Sequence, residues 1–358
     1  MEFGVVGCGR IAQMMHLPHL ASIPGAEIGA IADPAPAVLS GVGERYSVDR
    51  RYRDSNRLIA DAGADLDAVV VATPPEVHAD VTVAALEAGL HTLVEKPIAL
   101  TVEDADRMVA AAETVDATAM VGYMKRHDPT YLEMRERVTD LETVNRVVGT
   151  LVLGQHDEGI REMYDLVRGD PPDDIVEESN AARSDQIEQA IGSDDPAVQA
   201  SFFAHLGASC HDVSALRGLF GDIETIEYVD LYSGRDVLTA VFEFESGEKC
   251  VFTSSFSERK EWDEFVRVET PDQIITLEFT NPYLRNDPFA ITTAHGTDSV
   301  KRESVSASYE ESFKCELEQF IECSRSGGAV RTTFREGRDD LAFLVECFCR
   351  QLGTDRRL

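Results

Sequence analysis

The sequence predicts a doubly wound α/β domain followed by an α+β domain, and three features carry that prediction. Over the first 120 residues, short apolar runs alternate with helical patterns, as in strands joined by crossover helices in a parallel sheet. One run, Ala68-Val69-Val70-Val71-Ala72, is continuously apolar and largely β-branched, which fits a strand buried on both faces. Beyond residue 223, strand-like runs follow one another without helices between them, the pattern of a largely antiparallel, open sheet.

The elements follow in order. A strand at 3–6 enters Gly7-Cys8-Gly9-Arg10-Ile11-Ala12 and a helix running to about residue 23. Next come a strand at 27–32 ending at Asp33, a helix at 36–46, a polar stretch and a helix at 56–61. After the strand at 68–72, a helix at 76–88, a strand at 91–94, a helix at 102–115 and a strand at 118–121 complete the series. Past Tyr123 the character changes. A strand is predicted at 146–153, and the polar, acidic, Pro-containing stretch 156–200 reads as short helices on a surface insertion. A helix near 211–219 precedes strands at 224–232, 237–244, 249–255, 265–269 and 274–279, with Ser246-Gly247 as a hairpin turn. Helices at 311–324 and 335–352 close the chain. The expected domains are 1–122 and 123–332, with 333–358 a C-terminal helix able to pack on either.

Charge narrows the function. The chain has 358 residues, enough for two domains with cores of their own. It carries 65 Asp and Glu against 33 Lys and Arg, a net charge of −32, whose field repels nucleic acid and anionic membrane alike. No apolar run approaches the roughly 20 residues that span a bilayer, and the opening residues read as a strand and not as a leader. A soluble, cytoplasmic protein with no nucleic-acid or membrane partner is expected. Only 6 of the 33 basic residues are Lys. An acidic, Lys-poor surface suits a salt-rich cytoplasm, where screening relieves self-repulsion, so halophily is expected; a GC-rich genome is the plainer alternative. The seven cysteines show neither a CxxC nor zinc-finger spacing, so they read as buried free thiols and no metal site is expected.

The chemistry concentrates at strand ends. In Gly7-x-Gly9-x-x-Ala12 the first glycine permits a tight turn and the second lets a pyrophosphate approach the backbone; Arg10 and Ile11 open the helix whose N-terminus faces the phosphates. Asp33, 24 residues after Gly9, can accept hydrogen bonds from the adenosine ribose and would repel a 2′-phosphate, which favours NAD over NADP. Thr73 and Pro74 end the apolar strand and are expected at the cofactor's edge, with His78 either joining them or serving as a cap or surface residue. Glu95-Lys96-Pro97 ends another strand, where ligands of open α/β sheets bind. An ammonium there can hydrogen-bond a substrate hydroxyl, stabilise a developing alkoxide or relay a proton; a turn with an exposed ion pair is the alternative.

These motifs together resemble the glucose-fructose oxidoreductase/inositol dehydrogenase (Gfo/Idh/MocA) family: Gly7–Ala12, Ala72-Thr73-Pro74-Pro75 with His78, Glu95-Lys96-Pro97, and Val121-Gly122-Tyr123-Met124-Lys125-Arg126, in that order. The resemblance implies an N-terminal Rossmann domain and a C-terminal domain whose open, mostly antiparallel sheet forms homodimers or homotetramers. It implies hydride transfer between NAD(P) and a hydroxyl carbon of a sugar, cyclitol or related polyol, with Glu95 and Lys96 at the cofactor and Lys96 as the catalytic, substrate-binding lysine.

The match is looser in the second half. The family often has Asp-x-x-x-His at the head of a helix. Here His211 keeps the histidine and Gly207 stands where the aspartate would be. His211 is thus expected to take the proton, directly or through Lys96 or water, with a satisfied core histidine as the alternative, and His205 either replaces the missing carboxylate or is a loop histidine. Tyr123, Arg126 and Asp128 either border the substrate or are structural. Two other activities fit the same scaffold: cleavage of glycosidic bonds with transient use of NAD, and non-enzymatic nucleotide sensing.

Overall fold

The computed structural model describes residues 1–154, 162–232, 234, 236–260 and 262–354. They fall into two compact units. The first comprises Met1–Tyr123, Met163–Asp194 and Phe313–Ala342; the second comprises Met124–Glu162, Asp195–Ser312 and Phe343–Leu358.

The first unit is built on a parallel sheet. Its strands are β1 (Glu2–Val6), β2 (Glu27–Ala32), β3 (Arg50–Tyr52), β4 (Ala68–Val71), β5 (His91–Glu95) and β6 (Ala119–Gly122), in spatial order β3-β2-β1-β4-β5-β6. Helices α1 (Leu17–Ser22), α2 (Pro36–Arg45), α3 (Ser55–Ala62), α4 (His78–Glu87) and α5 (Val102–Thr114) make the crossovers. The order reverses direction at β1/β4, so the loops after these two strands flank the crevice where such sheets take ligands. All four β4 residues are buried, as its apolar run predicts. Side-chain caps set the helix starts: Asp54 accepts from the Arg57 N–H, and Thr101 from the Asp104 N–H. Strand β3 escaped the sequence reading, because Arg-Arg-Tyr has no apolar alternation and pairs only at the sheet edge.

Two later stretches belong to this unit. The first, 163–194, carries helix α7 (Asp173–Ile191). Gln13 receives the Val167 N–H at 2.8 Å and donates to the Val167 carbonyl at 3.0 Å, while Val167 packs against the core under α1 and α2. Arg183 of α7 pairs with the buried Glu76 at 2.7 Å. The sequence predicts short helices here, whereas α7 runs 19 residues. Its surface is mostly exposed and polar, so no apolar period marks its length. Residues 155–161 of that prediction lie outside the described residues. The other stretch carries α9 (Ser312–Ser326) from Phe313 on and the start of α10 (Phe334–Leu352), whose remainder from Phe343 counts with the second unit.

The second unit holds an eight-stranded sheet in the order β14-β13-β12-β11-β7-β10-β9-β8. The strands are β7 (Arg146–Leu153), β8 (Ile223–Tyr232), β9 (Val237–Phe244), β10 (Lys249–Phe256), β11 (Trp262–Glu269), β12 (Gln273–Glu278), β13 (Ala290–His295) and β14 (Lys301–Val305). Only the β7–β10 pair is parallel. Burial alternates along β9, so one face is core and the other is not. The Ser246-Gly247 turn forms as expected, with Gly247 at φ +94°. Strands β13 and β14 were not predicted; β14 is Lys-Arg-Glu-Ser-Val and exposed almost throughout.

Two helices of this unit correct the sequence reading. Helix α6 (Pro129–Thr139) was missed, although Asp128 caps it and Pro129 opens it. Helix α8 spans Pro196–Phe220, so His211 lies in its interior and not at its head. Asp195 caps α8 through the Ala197 N–H at 2.9 Å. Phe202, Leu206, Cys210 and Val213 then recur at helical spacing and are buried, which carries the helix through Gly207.

Candidate active site

In the first unit the glycine turn is fixed by geometry. Gly7 has φ +88°, and a Cβ there would collide with the backbone of Ala72 and Thr73 at the end of β4. A side chain at 7 is therefore excluded twice. Gly9 is exposed, and a Cβ on it would meet nothing within 4 Å; Arg10 and Ile11 beside it are half-buried. This leaves open backbone at the start of a helix, a cradle that fits the pyrophosphate of a dinucleotide. Asp33 braces the turn: Oδ2 accepts the Cys8 N–H and Oδ1 the Ala35 N–H, both at 2.8 Å. Burial raises its pKa, opposed by these two hydrogen bonds. A carboxylate has about four acceptor positions, so two remain for ribose hydroxyls.

Thr73 and Pro74 follow β4, half-buried and exposed respectively. His78 is buried, which removes the surface reading. Its Nδ1 lies 2.9 Å from the Pro97 carbonyl and its Nε2 2.9 Å from the Thr73 carbonyl. Burial holds its pKa below the ordinary histidine value against these contacts, so the neutral ring donates to one carbonyl. His78 thus lies against the loops that carry Thr73 and Lys96. The structure brings Gly7, Asp33, Thr73, His78 and the Lys96-Pro97 loop together at the carboxyl end of one sheet.

Lys96 is half-buried at that edge. Glu95 is buried and turned inward: Oε1 accepts from His16 Nε2 at 2.8 Å and Oε2 from the Lys96 N–H at 3.1 Å. Burial alone would raise the Glu95 pKa. The His16 hydrogen bond and charge, and then Lys96, pull it below the ordinary value.

In the second unit, His211 is half-buried on α8, one turn after Gly207 and on the same helix face. A Cβ at 207 would meet nothing within 4 Å, so the space in front of that face is open. His205 is fully buried, beside Ser254 at 3.2 Å and packed on Phe256 and Phe348. It is neither a loop histidine nor a stand-in for a carboxylate at 207, because two residues along a helix turn about 200° away. The residue after His211 belongs to a buried ion cluster. Asp212 accepts from buried Lys125 at 3.2 Å; Lys125 also pairs with Glu264, which receives Trp262 Nε1 at 2.9 Å. Burial opposes the charge on Lys125, but the two carboxylates hold its pKa up. Burial and then Glu264 raise that of Asp212.

Asp128 spends Oδ1 on the Thr130 N–H and Oδ2 on Ser312, as a helix cap. Arg126 is buried against Gly218, where a side chain would collide with it and with Tyr131. Tyr123, which ends the first segment of the first unit, is buried. The sequence reading missed His16, Glu316 and the Lys125–Asp212–Glu264 cluster. The chain has only six lysines, and that scarcity is a signal that could have drawn attention to Lys125. Among the described residues no cluster of His, Cys, Asp and Glu is arranged to hold a metal ion, and no helix is long and apolar enough to cross a membrane.

Comparison with known proteins converges on one group. Residues 1–123 match the model of the GFO_IDH_MocA oxidoreductase family, NAD-binding Rossmann fold. Inositol 2-dehydrogenase of Rhizobium meliloti is 25% identical over 365 residues, covering 100% of this chain and 98% of that protein. The scyllo-inositol 2-dehydrogenase (NAD(+)) of Bacillus subtilis is 26% identical over 90% of this chain and 86% of its own length. Among solved structures, UDP-N-acetylglucosamine 3-dehydrogenase from Acidithiobacillus ferrooxidans shares the fold, with TM-score 0.73 and 18% identity over 99% of this chain and 98% of that one.

Proposed function

The chain belongs to the Gfo/Idh/MocA oxidoreductase family, and on that premise we propose that it oxidises a ring hydroxyl of a cyclitol or related sugar, or reduces the matching ketone, with NAD. NAD supplies the hydride acceptor when bound. The observation that carries the reading is the strand-end cluster of Gly7, Gly9, Asp33 and Lys96 in one unit. The likeness to inositol dehydrogenases over most or all of the chain supports the substrate class.

Each residue has a distinct task. The Gly9 backbone and the helix N-terminus hold the pyrophosphate, and Asp33 accepts the ribose hydroxyls. Lys96 of the first unit hydrogen-bonds the reacting hydroxyl and stabilises its developing alkoxide. His211 of the second unit takes the proton as general base. Asp33 favours NAD over NADP by charge.

The setting is inferred from the same residues. Six of the seven free cysteines are buried, in keeping with a reducing cytoplasm. The outer face of the eight-stranded sheet exposes Tyr228, Tyr232, Val251 and Ile274, a surface suited to a second copy of the chain. The acidic, Lys-poor composition fits a salt-rich cell.

Initial rates with NAD and with NADP on a panel of inositols and sugars, in molar KCl, test the reading. NADH formation, with kcat/KM higher for NAD, is expected. Lys96→Ala should lower kcat by about 10²–10⁴ with NAD affinity nearly unchanged, and His211→Ala should also lose turnover. Bond cleavage without NADH formation, or equal rates with NADP, would refute it.

A further inference from the structure

A buried histidine stands between the glycine turn and the lysine loop. His16 closes a π-helical turn, Ala12–His16, that follows the glycine turn directly. Such turns are rare and add a residue to the helix, which re-aims the side chains they carry. The ring is fully buried, packed edge-on to Phe313 with centroids 6.0 Å apart. Its Nε2 donates to Glu95 Oε1 at 2.8 Å, and Glu95 Oε2 holds the Lys96 N–H at 3.1 Å. The path from the pyrophosphate helix to the lysine is thus two hydrogen bonds long, with one carboxylate in the middle.

A third group bears on this carboxylate. Glu316 of α9 is fully buried, and neither of its oxygens has a hydrogen-bond partner among the described residues. Burial, and then the charge of Glu95, raise its pKa well above the ordinary carboxyl value. The pKa of Glu95 is shifted the opposite way, downward, against its burial, and the Nε2–H of His16 is the side-chain donor that meets it.

We propose that His16 is a positioning residue for the reaction: acting through Glu95, it fixes Lys96 relative to the helix that carries the cofactor's pyrophosphate. The proposal rests on the reading of Lys96 as the group that meets the reacting hydroxyl. A broken His16–Glu95 bond leaves a buried carboxylate short of a donor, and the carboxylate then turns or takes up a proton. Either change frees the Lys96 backbone. Displacement of a catalytic group by about 1 Å typically costs on the order of 10² in rate.

Two variants separate positioning from packing. His16→Phe keeps a ring against Phe313 and removes the donor. His16→Gln places an amide donor near the position of Nε2. For both, kcat and KM for the sugar would be measured alongside the NAD dissociation constant and the thermal midpoint. The expected result is a fall in kcat on the order of 10-fold to 10²-fold in His16→Phe, NAD affinity little changed, and most of the kcat restored in His16→Gln. Loss of NAD binding in step with kcat, or a lowered midpoint with kcat intact in the folded fraction, would overturn the proposal. So would a His16→Gln enzyme as slow as His16→Phe. Lys96→Ala serves as the separate control. If it keeps wild-type kcat, the reading of Lys96 falls; if it is inactive while both His16 variants turn over normally, the inference alone falls.

Discussion

Glu316 shows how a single buried acid can make stability depend on pH. In the unfolded chain its carboxyl titrates near its ordinary value of 4.5; in the folded protein, burial and the neighbouring Glu95 raise it well above that. Between the two values the folded state binds the extra proton, so stability falls as pH rises through that window. Glu316→Gln cannot ionise and escapes this loss. Its thermal midpoint is therefore expected to match wild type near about pH 4 and to exceed it increasingly toward neutral pH. Midpoints of both proteins followed by circular dichroism across that range check this. A pH-independent difference would mean that Glu316 titrates alike in both states. Asp33 also titrates above its ordinary value because it is buried, but its two backbone hydrogen bonds work against the rise, and Glu316 lacks any such partner.

At the scale of elements, the sequence was legible where burial left a marked apolar run or alternation. Strand β4 is buried on both faces, and its apolar run marks it; β9 is buried on one face, and its alternation marks it. Helix α6 and strand β13 escaped although each buries one face, because their short segments carry too few apolar residues to mark it; three others that escaped have no such face. Strands β3 and β14 lie at sheet edges with charged side chains, and α7 is exposed along most of its length. The site divides the same way. Gly7, Gly9, Asp33 and Lys96 were legible because backbone geometry and strand-end position restrict the residue types allowed there. His16 and Glu316 were not, since nothing local shows that a polar side chain in an apolar stretch meets Glu95. Helix α8 was half read, since only its end near 211–219 was predicted and Gly207 lies in the part that was not. Its conformation is helical, and a Cβ there meets nothing within 4 Å. Gly207→Ala is accordingly expected to stabilise the protein by about 0.5–1 kcal/mol, through lower backbone entropy of the unfolded chain and better helix propensity. Urea unfolding at constant m-value measures this. A loss of stability would show that the helix needs the freedom of glycine at this turn.

For the whole molecule the dominant quantity is the net charge of −32. Many of the ion pairs that offset it locally are exposed, such as Arg107–Asp80 and Lys249–Glu227, and exposed pairs of this kind gain little because water screens them. They are too weak to outweigh repulsion among 65 acidic side chains, which outnumber the 33 basic ones about two to one. Salt acts on the two terms in opposite directions: it weakens the exposed pairs and screens the repulsion. The charge imbalance decides which wins, because repulsive contacts outnumber attractive ones over the surface. The Debye length falls from about 10 Å at 0.1 M to about 3 Å at 1 M, short enough to isolate neighbouring carboxylates. The buried Lys125–Asp212–Glu264 cluster is screened far less and should not change. The thermal midpoint is therefore expected to rise steadily from dilute buffer to molar KCl. A control separates screening from general salting-out. Near the isoelectric point of about 4.5 the net charge vanishes, and the rise should shrink there if repulsion is its source. An equal rise at pH 4.5 and pH 7 would assign the effect to burial of apolar surface instead, and a midpoint that falls with KCl at pH 7 would mean that the exposed ion pairs, few as they are, stabilise the fold more than the excess charge strains it.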